Sequence, residues 1–285
     1  MRLIRFSTPF LLLTLALVLA SPSAHASRAK LLVMGTGDAG LILGGSGNGG
    51  SFYYNDAYNM FYNPSYITDQ EDWITLEKSN NPGLTAQGGL KTSLLNFGIG
   101  LFVNRVGPLG VTGYTQAANM HPVDITIGAD LGFKFGLGAS FAGYNAAPAG
   151  AAKSSDVTLR AGAQVGGFEP FIAYQIAGKE VATTFDHFLI GTRYKWGEFI
   201  PYGVFQSRST AGVKTNTFGA GIGRTTTFGE GGKACMGFSY FRVTGQRNVI
   251  PIDIAAETSV MSWLTSPGDI RRRAIGRATK RMDCR

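Results

Sequence analysis

From Val123 to Phe141 every second residue is apolar, and nineteen residues with that period leave few folds open. Val123, Ile125, Ile127, Ala129, Leu131, Phe133, Phe135, Leu137, Ala139 and Phe141 fall on one side. Asp124, Thr126, Gly128, Asp130, Gly132, Lys134, Gly136, Gly138 and Ser140 fall on the other. Successive strand side chains point to opposite faces, so this period means one apolar face and one small or polar face. A strand needs only ~9–11 residues to cross a membrane. The run therefore predicts a hairpin whose tight turn, near Ala129–Gly132, keeps the phase.

The same alternation recurs in Phe97–Asn104, in Val157–Val165 and in Phe218–Ile222, and again in Ala234–Tyr240. Counted from Trp73 to the stretch Ile250–Leu264, about twelve strands are expected. Glycine numbers 40 of 285 residues, and charged residues make up 15% against about 25% in an average soluble protein. Disordered chains are charge-rich and aromatic-poor, which a 12% aromatic content excludes. Interior glycines cost a helix about 1 kcal/mol each, which argues against a helical bundle. A soluble sandwich and a membrane barrel both fit alternation. Short turns on alternate connections favour the barrel, with longer polar connections expected at Tyr144–Asp156, Gly178–Asp186 and Ser207–Thr215. Tyr144, Tyr194, Trp196 and Trp263 fall near strand ends, where an interfacial aromatic belt would lie. Backbone satisfaction in lipid then demands closure.

The two ends read differently from the body. Arg2 and Arg5 precede the apolar run Phe10–Ala20, then Pro22 and the small-residue site Ala24-His25-Ala26. That order predicts a secretory signal peptide over residues 1–26, cleaved after Ala26. The formal net charge of +8 also resides at the ends. Residues 27–270 hold seventeen Lys and Arg against seventeen Asp and Glu, so no field invites a nucleic acid. Residues 266–285 form a basic, irregular tail without alternation.

Site chemistry is sparse. Gly35-Thr-Gly37-Asp-Ala-Gly40 matches a dinucleotide fingerprint, but more glycines follow where a helix should start. His121 and His187 stand near loop signals, away from any metal-ligand spacing, so no metal, cofactor or catalytic group is expected. Cys235 and Cys284 suggest no disulfide framework. Charged residues with apolar neighbours on both sides should face inward. Asp124, Asp130, Lys134 and Arg160 become the pore-lining candidates. An open, charge-tuned lumen and an ion-pair network plugging a narrow barrel fit them equally. By the same parity, Phe135→Arg should impair assembly far more than Gly136→Ser.

Asp56-Ala-Tyr-Asn-Met-Phe-Tyr-Asn-Pro-Ser65 is an aromatic segment stopping at an Asn-Pro turn. With the Gly-rich Met34–Gly40 it resembles the N-terminal region of outer-membrane proteins related to the long-chain fatty-acid transporter, and Asn63, Pro64 and Ser65 are the motif. Phe52–Ile67, with Trp73–Ser79 and Thr85–Gly89, resembles major outer-membrane proteins of predatory deltaproteobacteria. The resemblance implies a porin-like barrel in the bacterial outer membrane. Its partners would be outer-membrane lipid, the barrel-assembly machinery and small solutes, with oligomers allowed. It implies passive solute diffusion; a hydrophobic-solute transporter or a non-conducting structural or adhesive protein are the alternatives. The expected organisation is a Gly- and aromatic-rich segment at 27–72 tucked into the lumen, then a barrel at 73–265. Such barrels usually end on an aromatic strand. The tail here departs from that, so the expected barrel lacks its last strands and closes poorly, as after a frameshift or truncation.

Overall fold

The computed structural model describes residues 42, 49–77, 86–105, 120–145, 153–228, 232–246 and 248–257. The signal peptide, Gly35–Gly40, Trp263, Cys284 and the tail at 266–285 lie outside the described residues.

Twelve strands follow one another as neighbours in a single antiparallel sheet. They are β1 (Trp73–Glu77), β2 (Gln87–Leu94), β3 (Phe97–Val103), β4 (Val123–Asp130), β5 (Lys134–Asn145) and β6 (Lys153–Gln164). The second half comprises β7 (Phe168–Glu180), β8 (Thr183–Tyr194), β9 (Phe199–Thr210), β10 (Val213–Phe228), β11 (Gly232–Val243) and β12 (Ile252–Glu257). The nineteen-residue alternation is β4 and β5, joined at Leu131–Phe133 and paired from Asp130↔Lys134 to Val123↔Phe141. From β5 to β11 each strand has 12 to 16 residues, enough to cross an apolar layer ~25 Å thick when tilted.

The two faces are reversed relative to a soluble sheet. Thr126 is 0% exposed while Ile127 is 48% exposed, and Asp124 and Ser140 are buried while Leu137 and Phe141 are exposed. An apolar exterior around a polar, filled interior suits hydrocarbon outside, since in water it would forfeit about 25 cal/mol for each Å² of apolar surface. The expected all-β, antiparallel, barrel-type fold of about twelve strands is the fold observed. Among the described residues no ladder joins β1 to β12. No described helix is long and apolar enough to cross a membrane, which has no bearing on strands.

Three expectations need correction. Gly178–Asp186 and Ser207–Thr215 are not long loops: β7 and β8 run on to a turn at Val181-Ala182, and β9 and β10 to one at Ala211-Gly212. Ala211 and Gly212 both have positive φ, the backbone that lets a two-residue hairpin follow the strand twist. Polar sequence there marks strand continuing past the apolar layer. His187 is likewise not a loop residue; it is buried in β8, its Nε2 2.8 Å from Gln206 Nε2. Arg242, between Phe241 and Val243, faces outward because Phe241 takes the buried position. Lying one residue from the end of β11, its long stem can carry the charge to the interface.

Candidate functional site: the filled interior

Residues 49–69 occupy the concave face of the sheet. Two short 3₁₀ helices, η1 (Ala57–Phe61) and η2 (Pro64–Asp69), shape the segment. Asp56 starts η1 by accepting the Tyr58 N–H, and Asn63 starts η2 by accepting the Ser65 N–H at 3.2 Å and the Ser65 hydroxyl at 2.6 Å. Pro64 sits at the first position, where a missing N–H costs a helix nothing. The Asn-Pro-Ser motif is therefore a helix cap. It is also a staple, because Asn63 Nδ2 donates to Ala163 O of β6.

The segment touches strands all the way round the sheet. Tyr58 donates to Glu77 of β1, Phe61 meets Phe102 of β3 edge-to-face, and Phe52 stacks on Phe171 of β7 and tilts against Tyr202 of β9. One segment of twenty-one residues can reach β1, β3, β7 and β9 only if the sheet curls around it. Glycines on the inward face let it come close. A Cβ on Gly136 of β5 would lie 2.5 Å from Pro64 O and Ser65 N, and one on Gly162 of β6 would collide with the Asn63 carboxamide. Gly136 therefore does not face open lumen, and Gly136→Ser would press its side chain against the segment. The space it appeared to face is filled by backbone.

The pore-lining candidates fall into two environments. Asp124 and Arg160 lie deep and dry, 1% and 2% exposed. Arg160 Nη2 donates to Asp124 Oδ1 at 2.5 Å and Arg105 Nη2 to Asp124 Oδ2 at 2.7 Å. Arg160 Nη1 also donates to Phe61 O at 3.0 Å, and the Arg105 guanidinium sits 3.6 Å from the Phe61 ring centre. Asp130 and Lys134 lie at the short-turn rim, half-exposed, with Lys134 paired to Asp69 of η2. Gln164 donates to the other Asp69 oxygen at 3.0 Å. Arg160 and Lys134 thus contact the segment, one at its middle and one at its end, and Asp124 and Asp130 are linked to it through them.

Sequence reasoning missed a second network. Glu169 of β7 and Arg193 of β8 are each fully buried. Tyr66 donates to Glu169 Oε2 at 2.5 Å, Lys195 Nζ lies 2.6 Å from Glu169 Oε1, and Arg193 Nη1 donates to Tyr62 Oη at 2.6 Å and to Ser51 O at 3.3 Å. Burial raises the Tyr58, Tyr62 and Tyr66 phenols above their ordinary range, so all three stay neutral donors through physiological pH. Farther along, Gln206 and Arg208 both donate to Ile42 O at 3.0 Å. No group of His, Cys, Asp and Glu arranged for a metal occurs among the described residues.

No protein-family model matches this sequence, and no curated protein matches it. Among solved structures, a porin refined at 1.8 Å resolution is similar, with 13% identity and a TM-score of 0.42. That match covers 63% of this chain and 64% of the porin chain. The likeness concerns β architecture alone.

Proposed function

We propose that this chain is a porin-like bacterial outer-membrane β-barrel held shut by its own residues 49–69, admitting small solutes only when that segment shifts. One observation carries the reading. The charged side chains that an open channel would present to water, Asp124, Arg160, Glu169 and Arg193, are instead dry and bonded to the segment or to one another. The short-turn rim keeps a charged mouth, with Asp130, Lys134 and Lys195 in contact with solvent. The hydrogen bonds, ion pairs and ring contacts holding the segment are noncovalent, so it can move without breaking a covalent bond. For a hydrophobic solute the Phe52, Phe171 and Tyr202 rings would have to part, because they already touch. A purely structural protein is the second reading, favoured by the completeness of that aromatic packing.

Vesicle swelling separates these readings. Vesicles carrying the intact protein should stay tight in an isotonic pentose solution. Gly136→Val, which drives a side chain into Pro64, should make them swell while circular dichroism still reports the sheet. A folded Gly136→Val protein in tight vesicles would favour the structural reading. Fast swelling with the intact protein would show that the segment does not seal the lumen.

A further inference from the structure

At the rim opposite the Leu131–Phe133 turn, the ends of β5, β6 and β7 enclose an open notch of about 720 Å³. Its lining includes Gly143, Lys153, Ser155, Lys179 and Val181. A bulge sets its geometry. Thr158 pairs with Gln175 and Val157 with Ala177, so Ile176 is an extra residue in β7. An extra residue reverses the in-out phase beyond it. Gln175 stays inward, whereas Ile176 and Ala177 both face out, and beyond them Lys179 faces out and Glu180 in. Lys179 pairs with Ser155, which pairs with Gly143, in one outward-facing row. Lys153, two residues from Ser155, shares that face.

Lys153 and Lys179 therefore lie diagonally across the β6–β7 pair on the outer surface and both line the notch, with exposed Phe141, Leu159 and Tyr174 farther along the strands. Like charges so placed repel unless something anionic joins them. Neither lysine has an ion pair among the described residues, and residues 146–152 contain no ionisable side chain. Asp186, the one outward acid of β5 to β8, sits two residues beyond Thr184, the partner of Lys179, and is not ion-paired with it. Gly143 leaves the floor open, since a Cβ there would meet only Ser154 O at 3.8 Å.

We infer that this notch binds the phosphate of an anionic lipid headgroup, held between Lys153 and Lys179, with the acyl chains lying along the apolar rows below. The inference rests on the strands crossing lipid. A lipid, and not a soluble anion, is the occupant because the row is continuous with the face that meets hydrocarbon. Each lysine near an anionic surface contributes about a fivefold preference.

The test uses the full chain reconstituted in phosphatidylcholine vesicles containing spin-labelled phosphatidylglycerol. The motionally restricted fraction gives the preference for the anionic lipid, and resistance to carbonate extraction reports insertion separately. The intact protein should prefer phosphatidylglycerol, and K153Q/K179Q should lower that preference by about an order of magnitude without loss of insertion. K214Q removes an exposed charge at the same rim, on β10, and should have far less effect. An effect of K214Q as large as half that of the double variant would replace the site with a diffuse belt and overturn the inference. So would abolition of the preference by millimolar inorganic phosphate, which would assign the notch to a soluble anion. Failure of every form to insert would instead sink the membrane reading beneath it.

Discussion

Asp124→Asn should destabilise the protein by about 3–5 kcal/mol, because it removes the carboxylate that Arg105 and Arg160 share in a dry interior. Asp130→Asn should cost less than about 1 kcal/mol, since Asp130 faces water and its pair with Lys134 is 3.9 Å long. Equilibrium unfolding in urea, with the protein in vesicles, measures both. Equal losses at the two positions would mean that Asp124 is hydrated, and that the interior is wetter than its contacts imply.

The second large effect lies on the lipid face. Leu159 is exposed, outward and near the middle of β6, opposite Ala139. Leu159→Arg should cost about 2–4 kcal/mol and leave most of the protein unassembled, as read from heat-modifiable migration on gels. Phe135 is only the second residue of β5, beside the turn, where an arginine costs about 0–1 kcal/mol. The sequence-based reason for ranking Phe135→Arg as the far harsher change therefore falls away. Phe135→Arg should assemble, and a side chain at Gly136 should displace residues 49–69 while the sheet still forms. If Leu159→Arg assembled as well as Phe135→Arg, the exposed apolar face would not be meeting hydrocarbon.

Why one side of that comparison could be read and the other could not follows from the residues. Period-two alternation is a local property, so Val123–Phe141 announced its hairpin, and about twelve strands could be counted. Parity also announced that Asp124 and Arg160 face inward. What parity cannot say is what lies inside. The contacts that fill the interior join Asn63 to Ala163 and Arg193 to Ser51, across 100 and 142 residues, and no local pattern encodes them. One signal was present. Phe102, Phe171, Tyr202 and Phe241 are aromatic on the face that should be small or polar, and all four are buried. A watery lumen has no use for them, whereas a plug does. The Asn-Pro-Ser motif was visible too, but its roles as helix cap and staple depend on β6 lying beside it. The polar strand ends after Gly178 and Ser207 were misread because polarity marks the end of the apolar layer and not the end of hydrogen bonding.

The central claim is that residues 49–69 close the path through the sheet. Single-channel recording in planar bilayers tests it directly, comparing the intact protein with one in which those residues are replaced by a short Gly-Ser linker. The intact protein should insert and stay silent, and the excised form should show discrete open steps. Intact protein that conducts in steps as large as those of the excised form would contradict the account.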